Sequence, residues 1–150
     1  MVMMDIAAKV LDTALRNGDT SKKALWGINR EYNRVQGADF SLVRAFLTKL
    51  VNCVKDEEIE YCFKNEIIFN SKFLDNGKIT PADIIKTIGS IISGISKKDI
   101  SKKTMAGVLS GVKLALELRQ HYLAFPATPD SFEKWCAKSE RLWSKVGKIQ

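Results

Sequence analysis

The stretch Thr104–Phe125, TMAGVLSGVKLALELRQHYLAF, constrains the fold more than any other part of the chain. Placed at about 100° per residue, its polar side chains Ser110, Lys113, Glu117, Gln120 and His121 form one narrow stripe. Met105, Val108, Leu109, Val112, Leu114, Leu116, Leu118 and Leu123 fill the rest of the circumference. A helix that is apolar most of the way round is expected to be buried on most sides. Gly107 and Gly111 leave a flat patch where another backbone can come close. Such spacing marks a membrane dimer only in an apolar run long enough to span, and Lys113 and Glu117 break this one. Those two charges are four apart and can pair. Arg119 projects opposite the polar stripe and is expected to snorkel or to meet a carboxylate.

The remaining chain reads as helices around this one. Met3, Ile6, Ala7, Val10, Leu11 and Ala14 recur at helical spacing, and Gly18 is a natural stop. Asp19, Thr20 and Ser21 offer caps for a second helix with Leu25, Ile28, Tyr32 and Val35 inward, ended by Gly37. Ser41 is expected to cap a third, carrying Val43, Phe46, Leu47, Leu50, Val51 and Val54. Asp56, Glu57 and Glu58 then suit the positive end of a new helix dipole before Ile59, Phe63 and Ile67, with a single longer helix through this point as the alternative. Residues 70–78 read as a loop, and Thr80-Pro81-Ala82-Asp83 as a capped helix start. Ile84, Ile85, Ile88, Ile91, Ile92 and Ile95 follow as one stripe, with Gly89 and Gly94 expected to face the glycines of the central helix. Pro126 and Pro129 close the central helix and open the last. Its inward stripe is Phe132, Trp135, Cys136, Ser139, Leu142, Trp143 and Val146.

At 150 residues a single domain over residues 1–150 is expected, and no internal repeat divides it. No uncharged run is long enough for a bilayer. Asp5 and Lys9 interrupt the first apolar stretch, so it does not read as a signal peptide. Cys53, Cys62 and Cys136 are odd in number and lack CxxC spacing, which fits reduced thiols in a cytoplasmic protein. The net charge of +7 favours anionic partners, but unevenly. Residues 37–70 hold more acidic than basic groups, and the excess lies elsewhere.

Three surfaces can use that excess. Lys23, Trp26, Arg30 and Arg34 share part of one helix face, where cations would meet phosphates and an exposed indole would stack on bases. The alternative there is a solvated face with Trp26 packed into a neighbouring helix. Lys97, Lys98, Lys102 and Lys103 crowd the link before the central helix. Lys134, Lys138, Arg141, Lys145 and Lys148 form an outward row on the last helix with Glu133 and Glu140 to the side. Each of these is also compatible with an ordinary solvated surface.

Catalytic and metal patterns fail on residue type or spacing. Asp75-Asn76-Gly77-Lys78-Ile79 resembles half of a calcium loop, but aligned on the glycine it puts Lys72 and Leu74 where oxygen ligands must stand. His121 and the three cysteines lack zinc-ligand spacing, and nothing orients a cysteine–histidine pair. Gly107–Gly111 lacks the lysine and preceding strand of a phosphate loop. A membrane-inserting hairpin of the isoleucine and central helices is disfavoured because each arm is short.

The sequence therefore predicts an all-α, single bundle of about six helices, with the isoleucine and central helices as a buried apolar hairpin. It predicts a protein that is not an enzyme and needs no cofactor or metal. The expected partner is nucleic acid, as a ribonucleoprotein-associated component holding phosphates through Lys/Arg faces. The alternative is an adaptor or inhibitor docking on an acidic protein surface. No membrane association is expected.

Overall fold

A computed structural model of the chain describes residues 2–67 and 81–147. The order is α1 (Val2–Arg16), α2 (Lys22–Leu25), α3 (Gly27–Tyr32), a π-helical turn (Asn33–Gly37), α4 (Ala38–Val51) and α5 (Asp56–Lys64). Then come α6 (Pro81–Lys97), α7 (Lys102–Leu123), a 3-10 turn (Pro129–Ser131) and α8 (Phe132–Val146). The fold is an all-α bundle of about six helices. Among the described residues no helix is long and apolar enough to cross a membrane. The loop expected over residues 70–78, the calcium-loop stretch, Thr80 and Lys148 lie outside the described residues.

Local signals set most helix ends. Gly18 has φ +65°, and the Gly18 and Asp19 N–H groups donate to the Leu15 and Ala14 carbonyls at 3.1 and 3.0 Å. This left-handed residue closes α1 in the manner its glycine allows. Ser21 caps α2, its Oγ accepting from the Ala24 N–H at 3.3 Å. Proline opens α6 and Ser101 caps α7.

Gly37 was expected to end a helix and does not. Its φ of −60° and ψ of −37° are helical, and the chain runs on through the π turn into α4. A Cβ there would stand 2.6 Å from Asn33 Oδ1. The glycine thus makes room for the Asn33 side chain, whose Nδ2 donates to the Asn29 carbonyl at 2.9 Å. Ser41 accordingly caps nothing; it is buried within α4 and its Oγ donates to the Ala38 carbonyl at 2.7 Å.

The inner pair is not the expected hairpin. The most extensive helix contact joins α4 to α7, while α6 touches α7 thinly. Gly107, Gly111 and Ala115 form a small-residue face on α7, and α4 docks there. A Cβ on Gly111 would stand 3.1 Å from the Lys49 stem, and one on Gly107 would overlap Cys53. Gly94 faces Tyr61 and Ile100 instead of another glycine, and nothing lies within 4 Å of a Cβ at Gly89. Ile85 and Ile92 of α6 remain 70% and 49% exposed.

Docking on its small face leaves Lys113, Glu117 and Gln120 of the polar stripe exposed but turns its Ser110 and His121 edge inward. His121 is buried and Ser110 half-buried. The outward row is Ala106, Leu109, Lys113, Leu116, Gln120 and Leu123. Arg119 meets a carboxylate as expected, its Nε 2.7 Å from Asp39 Oδ1.

Two apolar clusters fill the bundle. Leu42, Val43, Ala45, Leu114, Ala115, Leu118, Leu142 and Val146 join α4, α7 and α8. Leu50, Cys62, Ile67, Ile91, Ile100 and Val108 join α4, α5, α6 and α7, and Phe46 packs against both clusters. Glu58 fastens the second. Its carboxylate accepts from the Lys55 N–H at 3.2 Å, the Ser101 N–H at 2.7 Å and the Thr104 hydroxyl. Burial raises the Glu58 pKa, but these hydrogen bonds outweigh it and hold the carboxyl below its ordinary value.

Candidate nucleic-acid interface

On the N-terminal basic face Lys23, Arg30 and Arg34 are exposed, but Trp26 takes the alternative the sequence offered and packs inward. Trp26 is 6% exposed. Its Nε1 donates to the Pro126 carbonyl at 2.7 Å, and its ring stacks on Phe125 at 5.4 Å and meets Phe132 edge-on at 5.3 Å. The indole is therefore not available to nucleobases. The physical reason is its apolar area, which finds a corner made by the end of α7 and the start of α8. Arg30 and Arg34 are exposed but share one carboxylate: Glu31 lies 3.7 Å from Arg30 and 2.8 Å from Arg34. Lys23 is exposed at the edge of this face, beside Lys22, whose Nζ sits 5.9 Å from the Trp26 ring centroid.

The lysine link stands at the opposite end of α7. That helix has 22 residues, so about 33 Å separates its ends at 1.5 Å per residue. Lys97, Lys98, Lys102 and Lys103 are all exposed. Lys97 and Lys98 border an open groove of about 760 Å³, which Glu57, Glu58, Glu60 and Asp99 also line. Its field is mixed in sign. Lys103 instead borders a cavity of about 320 Å³ with Lys49, Asn52, Cys53 and Lys55.

Four of the five cations expected in the row on α8 lie among the described residues. Lys134, Lys138, Arg141 and Lys145 are exposed, at intervals of four, three and four residues, along about 16 Å of one helix face. The inward anchors Leu142 and Val146 fix that outward direction. Among the described residues none of the four cations is in ion-pair contact with a carboxylate. Arg141 Nε instead donates to the Ala137 carbonyl at 3.3 Å.

Folding thus brings the N-terminal face to the beginning of α8, through Trp26 and Phe132, and leaves the lysine link remote. It also builds a groove that helical periodicity did not announce. Arg44 lies over Trp143 at 5.2 Å, and Trp143 Nε1 donates to the Tyr122 hydroxyl at 3.1 Å. These residues line a groove of about 440 Å³ with Thr48, Val146 and Gly147. The sequence signal was available only as a tryptophan on the inward stripe of α8; its arginine partner lies on α4.

His121 illustrates the chemistry that the buried groups do. Its ring stacks on Trp135 at 4.7 Å, and Trp135 Nε1 donates to its carbonyl at 3.1 Å. Burial lowers the imidazole pKa, and the Lys138 charge lowers it further. Burial, with the nearby Glu58 charge, pushes the Cys62 thiol up to about 11, where it is a poor nucleophile at neutral pH. No group of three or more His, Cys, Asp or Glu side chains among the described residues could hold a metal ion. A scan of protein-family models finds no match to this chain, and a search of curated proteins finds no relative.

Proposed function

We propose that this chain is a non-catalytic binding protein whose α8 face holds a polyanion, with nucleic-acid phosphates as the leading partner. The observation that carries the reading is the unneutralised row Lys134, Lys138, Arg141 and Lys145. Cations in a row release condensed counterions when they meet a phosphate backbone, and this favours binding without any base contact. Arg30 and Arg34, tied to Glu31, and the remote lysine link contribute to the long-range field and not to one continuous surface. The free cysteines suit a reducing, cytoplasmic setting.

Fluorescence anisotropy with labelled single- and double-stranded oligonucleotides tests this. Affinity is expected to fall steeply with salt, with a logarithmic slope of about −3 to −4 for four duplex phosphate contacts. Lys138→Glu with Arg141→Glu is expected to weaken binding far more than Arg30→Glu with Arg34→Glu. No detectable binding at low salt would remove the proposal. The burial of Trp26 favours a second reading, since a face of cations without a stacking aromatic also suits an acidic protein surface. Displacement of the oligonucleotide by polyglutamate at equal charge concentration would favour that reading.

A further inference from the structure

The outward row of α7 carries leucine at every seventh residue: Leu109, Leu116 and Leu123 are 45%, 44% and 38% exposed. Ala106, Lys113 and Gln120 alternate with them, and all six side chains face solvent. The six residues step alternately by three and four, the spacing of a coiled-coil seam, with leucine at every d position and Ala106, Lys113 and Gln120 at the a positions. The opposite face of α7 is committed to α4 and α8. Among the described residues the leucines of the outward row therefore stay half-exposed while the opposite face of α7 is buried.

We propose that a second copy of this chain covers the leucine row, its α7 packed antiparallel to the first about a two-fold axis. Lys113 on the row and the exposed Glu117 at its flank select this occupant and this direction. With the axis between residues 114 and 115, Leu116 of one copy sits beside Lys113 of the other, Leu109 beside Gln120, and Leu123 beside Ala106. Lys113 then lays its aliphatic stem along a leucine while its ammonium comes level with Glu117 of the second copy. The symmetry makes this pair twice. A parallel pair would instead set Lys113 against Lys113 within the seam. It would also gather both copies of Lys97, Lys98, Lys102 and Lys103 at one end, on chains that each carry +7. The antiparallel arrangement keeps the two copies of Lys102 and Lys103 about 34 Å or more apart, at opposite ends of the seam.

Sedimentation velocity of the full chain without nucleic acid, across a wide concentration range, tests this independently of the α8 reading. The chain is expected to dimerise. Lys113→Glu alone, and Glu117→Lys alone, are each expected to raise the dimer dissociation constant about tenfold or more. The combined swap is expected to recover most of that loss. Lys113→Glu lowers the net charge, which by itself would favour association, so weakening is specific to the pairing. Leu116→Glu is expected to give a monomer with an unchanged circular dichroism spectrum. A chain that is monomeric at every concentration overturns the proposal, as does a dimer indifferent to the single swaps or one that the combined swap fails to restore.

Discussion

Glu58 is a buried carboxylate held by the Lys55 N–H, the Ser101 N–H and the Thr104 hydroxyl. It joins the start of α5 to the start of α7, so its removal leaves donors on both elements unpaired. Glu58→Gln is expected to cost roughly 1–3 kcal/mol, measured by urea unfolding at neutral pH. The carboxyl pKa is depressed in the folded chain. Its contribution is therefore fully present above the ordinary glutamate range and is lost as pH falls through the lower folded value. Thermal melts from neutral to acid pH should show a steeper loss for the parent than for the variant. His121 acts in the same direction at higher pH. Its folded pKa is lowered, so the stability it confers is present above the ordinary histidine value near 6.5 and is lost as pH falls below it. His121→Phe, which can keep the stack on Trp135, is expected to flatten the stability profile between neutral and mildly acid pH. An unchanged slope in that range would refute the assignment.

At the scale of elements, α7 is positioned by its smallest side chains. Gly111 admits α4 at Lys49 and Gly107 admits Cys53 in the turn that follows it, and this close approach decides which side of a nearly all-apolar helix turns outward. Two glycine substitutions are expected to move stability in opposite directions. Gly89→Ala meets nothing within 4 Å and is expected to stabilise α6 by up to about 1 kcal/mol through helix propensity. Gly107→Ala collides with Cys53 and is expected to cost about 1–3 kcal/mol. Denaturant midpoints of the two variants check both signs. Helix ends were largely legible beforehand, because Gly18, Ser21 and the acidic start of α5 act within one turn. Gly37 and Ser41 misled for a related reason. Both residue types punctuate helices, but here Asn33 needs the space of a missing Cβ and Ser41 bonds back to Ala38.

At the scale of the molecule, Trp26 ties the N-terminal helices to the corner between α7 and α8. Its bond to Pro126 crosses 100 residues of chain. Trp26→Ala is expected to cost about 3–5 kcal/mol, and Trp26→Phe less. If α8 alone carries the anion face, Trp26→Phe leaves oligonucleotide affinity unchanged wherever the chain is folded. A folded Trp26→Phe protein with reduced affinity would return this residue to the interface. Of the candidate surface, the row on α8 was readable from spacing alone. The sharing of Glu31 by Arg30 and Arg34 was not, because which rotamers meet that carboxylate depends on how the helix is seated.

Hydrophobic period and capping residues determined that the chain is helical, roughly where its helices lie, and that α8 carries a cationic row. These follow from a pitch of about 3.6 residues and from hydrogen bonds a few residues apart. Tertiary structure alone decided that α4 and not α6 lies along α7, that Trp26 is sealed in, and that Leu109, Leu116 and Leu123 face outward. Periodicity specifies the faces a helix possesses, whereas the choice of which apolar face is covered depends on the shapes of partners far along the chain.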